Sequence, residues 1–149
     1  MKRIGFMQGR LSEIDNGKVQ SFPINNWENE FYLGKDMDFK FIEWTLDMKN
    51  IYENPLMTKR GQLKIKKLIN ESAIKISSLT GDCFMQKPFW KETNNRFKEK
   101  LLKDFEDLVI SCNIVGIKYI VMPLVDNGRL DSTDQENDLI YLLKERINL

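Results

Sequence analysis

Residues 39–47, Phe39-Lys40-Phe41-Ile42-Glu43-Trp44-Thr45-Leu46-Asp47, limit what this chain can become more than any other stretch. The run is too short, and too rich in aromatic and β-branched residues, for a helix. Apolar residues fill most of its positions, the pattern of a strand covered on both faces inside a parallel sheet flanked by helices. Glu43 within it and Asp47 at its end break the pattern. The design returns at 117–126, ending in Asp126, and more loosely at 74–82, ending in Asp82. Parallel α/β folds collect their chemistry at the carboxyl ends of strands. Three aspartates are therefore expected along one edge, and that edge is the candidate site.

The rest of the chain supplies the alternating partners. Ile4-Gly5-Phe6-Met7 reads as the first strand and runs into Gln8-Gly9-Arg10. A polar loop follows over residues 11–24, with Asn16-Gly17 as a turn and Pro23 near its end. It is either a substrate loop or a surface insertion. Asn25 or Asn26 can cap a helix over 27–35, with Trp27, Phe31 and Leu33 or Gly34 inward. Asn54-Pro55 breaks the chain, and Thr58 opens a helix to about residue 70 with Leu63, Ile65, Leu68 and Ile69 near one stripe. The third strand spans 73–79. Residues 83–90 are unusually apolar for a loop (Phe84, Met85, Phe89, Trp90), as a hydrophobic lid or as packing against neighbours.

The longest helix starts at Thr93 or Asn94 and runs to about residue 115, with Phe97, Leu101, Phe105, Leu108 and Cys112 at helical spacing and Leu102 and Val109 beside them. Cys112 is thus placed in the core, and Gly116 stops the helix. A fourth strand over 118–125 precedes a capping box at Thr133-Asp134-Gln135-Glu136 and a last helix facing inward through Leu139, Ile140, Leu142, Leu143 and Ile147. The expectation is one α/β domain over residues 1–149, four βα units with parallel strands.

Composition excludes several classes. With 23 Lys and Arg against 22 Asp and Glu, the chain lacks the basic excess of a nucleic-acid binder. The lysines at 64, 66 and 67 read as a solvated helix face. There is no apolar run of membrane-spanning length and no signal-peptide core, and two cysteines make neither a disulfide framework nor a zinc spacing. A cytoplasmic location is expected. Histidine is absent altogether, so a His-containing metal site, a Ser-His-Asp triad and a Cys-His pair are out of reach of this chain alone. Proton transfer would fall to a carboxylate, Lys, Tyr or Cys. The turn after the first strand carries neither a Gly-x-Gly-x-x-Gly fingerprint nor the acidic pair of a receiver domain.

Several segments taken together carry a resemblance. They are Gly5-Phe6-Met7-Gln8-Gly9-Arg10-Leu11-Ser12, Phe22-Pro23 with Trp27, Ile42-Glu43-Trp44, Asn54-Pro55-Leu56 and Asp82 with Phe84-Met85. This ordered set resembles the sugar-phosphate isomerase/epimerase family of the xylose-isomerase-like barrel superfamily, over essentially the whole chain. The resemblance implies the N-terminal half of a (β/α)8 TIM barrel with its site at the C-terminal face. It also implies carbohydrate chemistry, a proton moved next to a sugar carbonyl with help from a divalent metal (Mn, Mg or Zn). The chain departs from the pattern by stopping after the fourth βα unit and by having no histidine, so no metal ligand is assigned within it and its own catalysis is left open. The implied partners are a sugar or sugar phosphate and a second half-barrel chain or a homodimer. The alternative is a non-catalytic half-barrel remnant or carbohydrate-binding module.

The candidate substrate-binding residues are Gln8, Arg10, Glu43, Asp47, Asp82, Asp126 and Asn127. Arg10 could clamp a phosphate or carboxylate, or form a salt bridge at the rim. Glu43, if turned inward, either bonds a substrate hydroxyl or is satisfied by a lysine or arginine. Asp47, Asp82 and Asp126, with Asn127, make a polar rim for sugar hydroxyls or for a hard cation, or serve as caps and turns.

Overall fold

The computed structural model describes residues 4–13 and 21–146. Four strands, β1 (Gly5–Met7), β2 (Phe41–Thr45), β3 (Lys75–Thr80) and β4 (Tyr119–Val121), alternate with helices α1 (Asn29–Asp36), α2 (Lys59–Ser72), α3 (Asp82–Gln86), α4 (Asn95–Val115) and α5 (Thr133–Lys144). All neighbouring strands pair in parallel, and their order in the sheet is their order in the chain. The α/β architecture of four βα units expected from the sequence is the one present. Its strand order also differs from that of a doubly wound sheet, where the order reverses partway across.

Sequential order has a consequence for burial. Right-handed crossovers that always step the same way place every helix on the same side of the sheet. Accordingly α1 packs on α2 and α2 on α4 in one layer. Ile42, Trp44 and Leu46 of β2 and its extension, with Ile76 and Leu79 of β3, point into that layer and are buried. Trp44 sits among Phe22 and Trp27, with ring centroids 5.3 and 5.7 Å away, and its Nε1 donates to Asn54 Oδ1 at 3.1 Å. Covering of both faces, which the apolar run predicts, is therefore corrected: among the described residues, the helices cover one face.

A bulge reconciles β3 with this arrangement. Ile42 pairs with Ile76 but Glu43 pairs with Ser78, so Ser77 is the extra residue. Without it the three-residue spacing from Ile76 to Leu79 would turn one of them outward.

Helix boundaries follow their caps. Thr58 Oγ1 accepts from Gly61 N, Asn94 Oδ1 from Phe97 N, and Gly116 closes α4 at φ +88°. Two expectations are corrected. Ser132, not Thr133, caps α5 through Gln135 N. No side chain caps α1, because residues 24–28 form turns that carry Trp27 into the core before the helix begins. Leu33, Leu63, Phe97 and Ile140, expected to face inward, are exposed. Residues 83–90 settle as packing: Cys83, Phe84, Phe89 and Trp90 are buried, and Phe84 and Phe89 lie against Phe105 of α4. The Asn16-Gly17 turn and Ile147 lie outside the described residues. Among the described residues no helix is long and apolar enough to cross a membrane.

Candidate functional site

The carboxyl ends of β1, β2 and β3 meet on the bare side of the sheet. Register places Met7, Glu43, Ser78 and Tyr119 in one row across that side, and Thr45, Thr80 and Val121 in the next. Glu43 is half-buried, and its Oε1 accepts from Thr80 Oγ1 at 2.8 Å. The partner is thus a neighbouring strand's hydroxyl, not the lysine or arginine considered from sequence. The carboxylate keeps lone pairs for a further donor. A hollow of about 230 Å³, lined by Gly5, Met7, Phe41, Glu43 and Ser78, opens beside it.

Gln8 follows β1 directly and is 1% exposed. Its backbone N donates to Glu43 O at 2.9 Å, continuing the sheet by one bond. Its Oε1 receives a long bond of 3.5 Å from Thr45 N. Its Nε2, and Oγ1 of the equally buried Thr45, have no hydrogen-bond partner among the described residues. Buried polar atoms are nearly always satisfied, so two orphans side by side at strand ends mark a place prepared for something else.

Asp82, the first residue of α3, is buried with no hydrogen bond to its carboxylate among the described residues. Burial, and then the negative charges of Asp47 and Glu43, push its carboxyl above the usual carboxylate range. Glu43, Asp47 and Asp82 therefore share one electrostatic environment.

The other sequence candidates divide differently. Asp47 is a strut: Oδ2 accepts from Phe22 N at 3.1 Å and Oδ1 from Gln86 Nε2 at 2.8 Å, tying the segment after the first loop to α3. Asn127 is another, its Nδ2 donating to Met85 O and Gln86 O. Asp126 is exposed, five residues past the end of β4, in a 3-10 turn with φ at 49°. It is not at a strand end, because β4 stops at Val121 where 118–125 was expected. Arg10 is exposed, with Nη2 3.8 Å from Met7 Sδ.

Two residues that the sequence did not single out organise the site. Glu30, on α1 and fully buried, receives Gly9 N on both oxygens at 2.9 Å, Leu11 N at 3.0 Å and Ser12 Oγ at 2.9 Å. The Gln8–Ser12 loop is thus folded around one carboxylate, and Gly9 at φ +86° makes the necessary turn. Gln86 holds Asp47 and also accepts from Met48 N at 2.8 Å. A lone Glu amid helical polar residues carries no local signal. The sole hint for Glu30 is its place one residue before the buried Phe31.

A larger hollow of about 600 Å³ lies in the helix layer, lined among others by Ile51, Tyr52, Phe97, Leu101 and Asp104. Its polar groups are largely engaged: Tyr52 Oη donates to Asp104 at 2.6 Å and to Asp107 at 3.1 Å. Trp90 Nε1, at the end of the 83–90 segment, is also buried without a partner among the described residues, but it stands alone. Gln8 and Thr45 are neighbours with an orphaned atom each, so the site is placed at the strand ends.

Chemically, the strand ends offer amide and hydroxyl donors and two carboxylates. Among the described residues no three His, Cys, Asp or Glu converge as ligands for a metal ion. The cysteines supply no nucleophile, since burial pushes Cys112 up to about 12 and Cys83 higher still. A scan of the sequence against protein-family models returns no match, and no curated protein matches it.

Proposed function

We propose that this chain binds a sugar or sugar phosphate at the carboxyl edge of a half barrel, as the substrate-side portion of an isomerase or epimerase. The observation that carries this reading is the pair of orphaned atoms, Gln8 Nε2 and Thr45 Oγ1, at the strand ends that also carry Glu43 and Asp82. A polyol matches that set: one hydroxyl accepts from the amide while donating to a carboxylate, and each sugar hydroxyl can do both. The sequential parallel sheet is the arrangement from which a (β/α)8 barrel is built. In such a barrel these residues would bind and orient the substrate. A cytoplasmic setting accords with the two free cysteines.

A carbohydrate-binding module without turnover is the second reading, favoured by the absence of histidine from the sequence. One titration serves both. Aldoses and ketoses, with and without phosphate, are added while the Gln8 side-chain amide resonances are followed by NMR. Binding is expected in the wild type and lost in Thr45→Val. Because Thr45 Oγ1 has no partner, that variant keeps or gains stability, by up to ~1 kcal/mol. Isomerisation of the bound sugar selects the first reading, and binding without turnover the second. No shift with any sugar at millimolar concentration would sink both.

A further inference from the structure

We propose that Glu30 is the positioning residue of the strand-end site: by holding the turn after β1, its carboxylate sets where Gln8 presents its unpartnered amide to a ligand. The inference rests on the function proposed above and adds to it a residue that acts through another.

The carboxylate is unusual for its place. Glu30 lies on α1, is fully buried and forms no ion pair among the described residues. Its oxygens are met by Gly9 N, Leu11 N and Ser12 Oγ, all within 3.0 Å. Burying a charged group costs more than burying a neutral one, even when it is hydrogen-bonded. A turn that needed only to be closed could be held by a neutral side chain at lower cost. A carboxylate, unlike a carboxamide, accepts on both oxygens from several separate donors. It thereby fixes Gly9, Leu11 and Ser12 to one helix.

Gln8 is where that fixing matters. Its own N–H donates to Glu43 O at 2.9 Å, and the next N–H, of Gly9, donates to Glu30. The backbone of Gln8 is tied at both ends, to β2 on one side and to α1 on the other. Gly9 turns at φ +86°, with Ser21 O 3.1 Å from the position a Cβ would take, so the turn is tight. The side chain has weaker holds of its own. Oε1 receives one bond of 3.5 Å, and Nε2 has no partner among the described residues. Its direction is therefore set by the backbone, and the backbone by Glu30. A buried amide serves a ligand only where a supporting shell keeps it in place.

The experiment separates positioning from mere support of the fold. A purely structural Glu30 would lower stability when changed and leave the affinity of the folded molecules alone. The Gln8 side-chain amide is followed by NMR in the 149-residue chain, free and titrated with aldoses and ketoses. Glu30→Gln should raise the sugar Kd roughly tenfold or more, the size of effect seen when a supporting residue is removed. The Gln8 amide protons should move towards the shifts and fast motion of an exposed glutamine. Ser12→Ala, which removes one donor and leaves the carboxylate, should do the same to a smaller extent. Glu28→Gln, which removes the partner of Lys64 at 2.8 Å, should leave both readouts unaltered. Glu30→Ala opens a hole the size of a carboxylate, and added formate should return the Gln8 resonances and the affinity towards wild type.

Glu30 variants that keep the wild-type Kd and Gln8 resonances overturn the proposal, however far their stability falls. So does a loss in Glu30→Ala that formate leaves unchanged, or an equal loss in Glu28→Gln. If the Glu30 variants do not fold, Ser12→Ala decides on the same two readouts. Sugar binding that is indifferent to Glu30 leaves the function standing without this role. A wild type that binds no sugar removes the function, and the Gln8 resonances then decide alone whether Glu30 positions the amide.

Discussion

The two sides of one four-stranded sheet obey different rules in this protein. On the helix side, Ile42, Trp44, Leu46, Ile76 and Leu79 are buried, and Trp44 lies among aromatic rings with its indole N–H bonded to Asn54. On the bare side, the residues alternating with them are Phe41, Glu43, Thr45, Ser78 and Thr80. Two buried polar atoms there lack partners, and a buried aspartate is held above its ordinary range. The same backbone hydrogen bonds support both. The contrast teaches that the helix side carries stability while the bare side keeps unmet polar capacity, the mark of a surface shaped for a ligand or partner.

Substitutions can break this contrast, and the largest effect is expected on the helix side. Leu79→Ala leaves a cavity in a wholly buried position and should cost about 3 kcal/mol in urea unfolding, within the range for buried leucines. Loss of less than about 1 kcal/mol would show that the helix layer is loosely packed.

Next in size is Glu30→Gln, which places an amide NH2 where backbone N–H donors now point. Its expected cost is about 2 kcal/mol, as for a charged acceptor lost from a buried network. Hydrogen exchange at Gly9 and Leu11 should quicken with it. Slow exchange in the variant would mean that the loop is held by something other than this carboxylate.

Asp82→Asn should act in the opposite direction, and with pH. A folded-state pKa above the unfolded value means that the folded chain holds the proton more tightly. Stability therefore falls as pH rises through the interval between the two values and remains lower above it. The variant removes that loss, so it should be the more stable protein at neutral pH and should flatten the acidic limb of the stability profile. A destabilised variant at neutral pH would reveal an unrecognised donor to the carboxylate. The smallest effect belongs to the bare side. Tyr119→Ala, at an exposed strand position, should change the stability of the isolated chain by less than about 0.5 kcal/mol.

Legibility in the sequence followed the range of the interaction. The apolar runs 39–47 and 74–82, the spacing of Leu101, Phe105, Leu108 and Cys112, and the caps Thr58 and Asn94 are all set by neighbours within a few residues, and each element appeared where expected. Gln8, Glu43 and Asp82 were reachable because a polar residue inside or just after an apolar run is conspicuous. Glu30, Gln86, Thr45 and Thr80 were not, since their partners lie between 18 and 39 residues away and nothing local distinguishes them from ordinary polar residues. Asp126 was misplaced for a related reason: its run stays apolar after the strand has ended, and hydrophobicity alone does not locate the last ladder bond.

By itself, the sequence determined the alternation of strands and helices, their parallel character and the exclusion of histidine-based chemistry, because period, capping and composition are properties of short stretches. Only the tertiary structure decided that helices cover one face, that Ser77 is a bulge, and that Gln8 and Thr45 are left with unmet hydrogen bonds. Those outcomes depend on which strand lies next to which, and strand order is set by burial and crossover handedness summed over the whole chain.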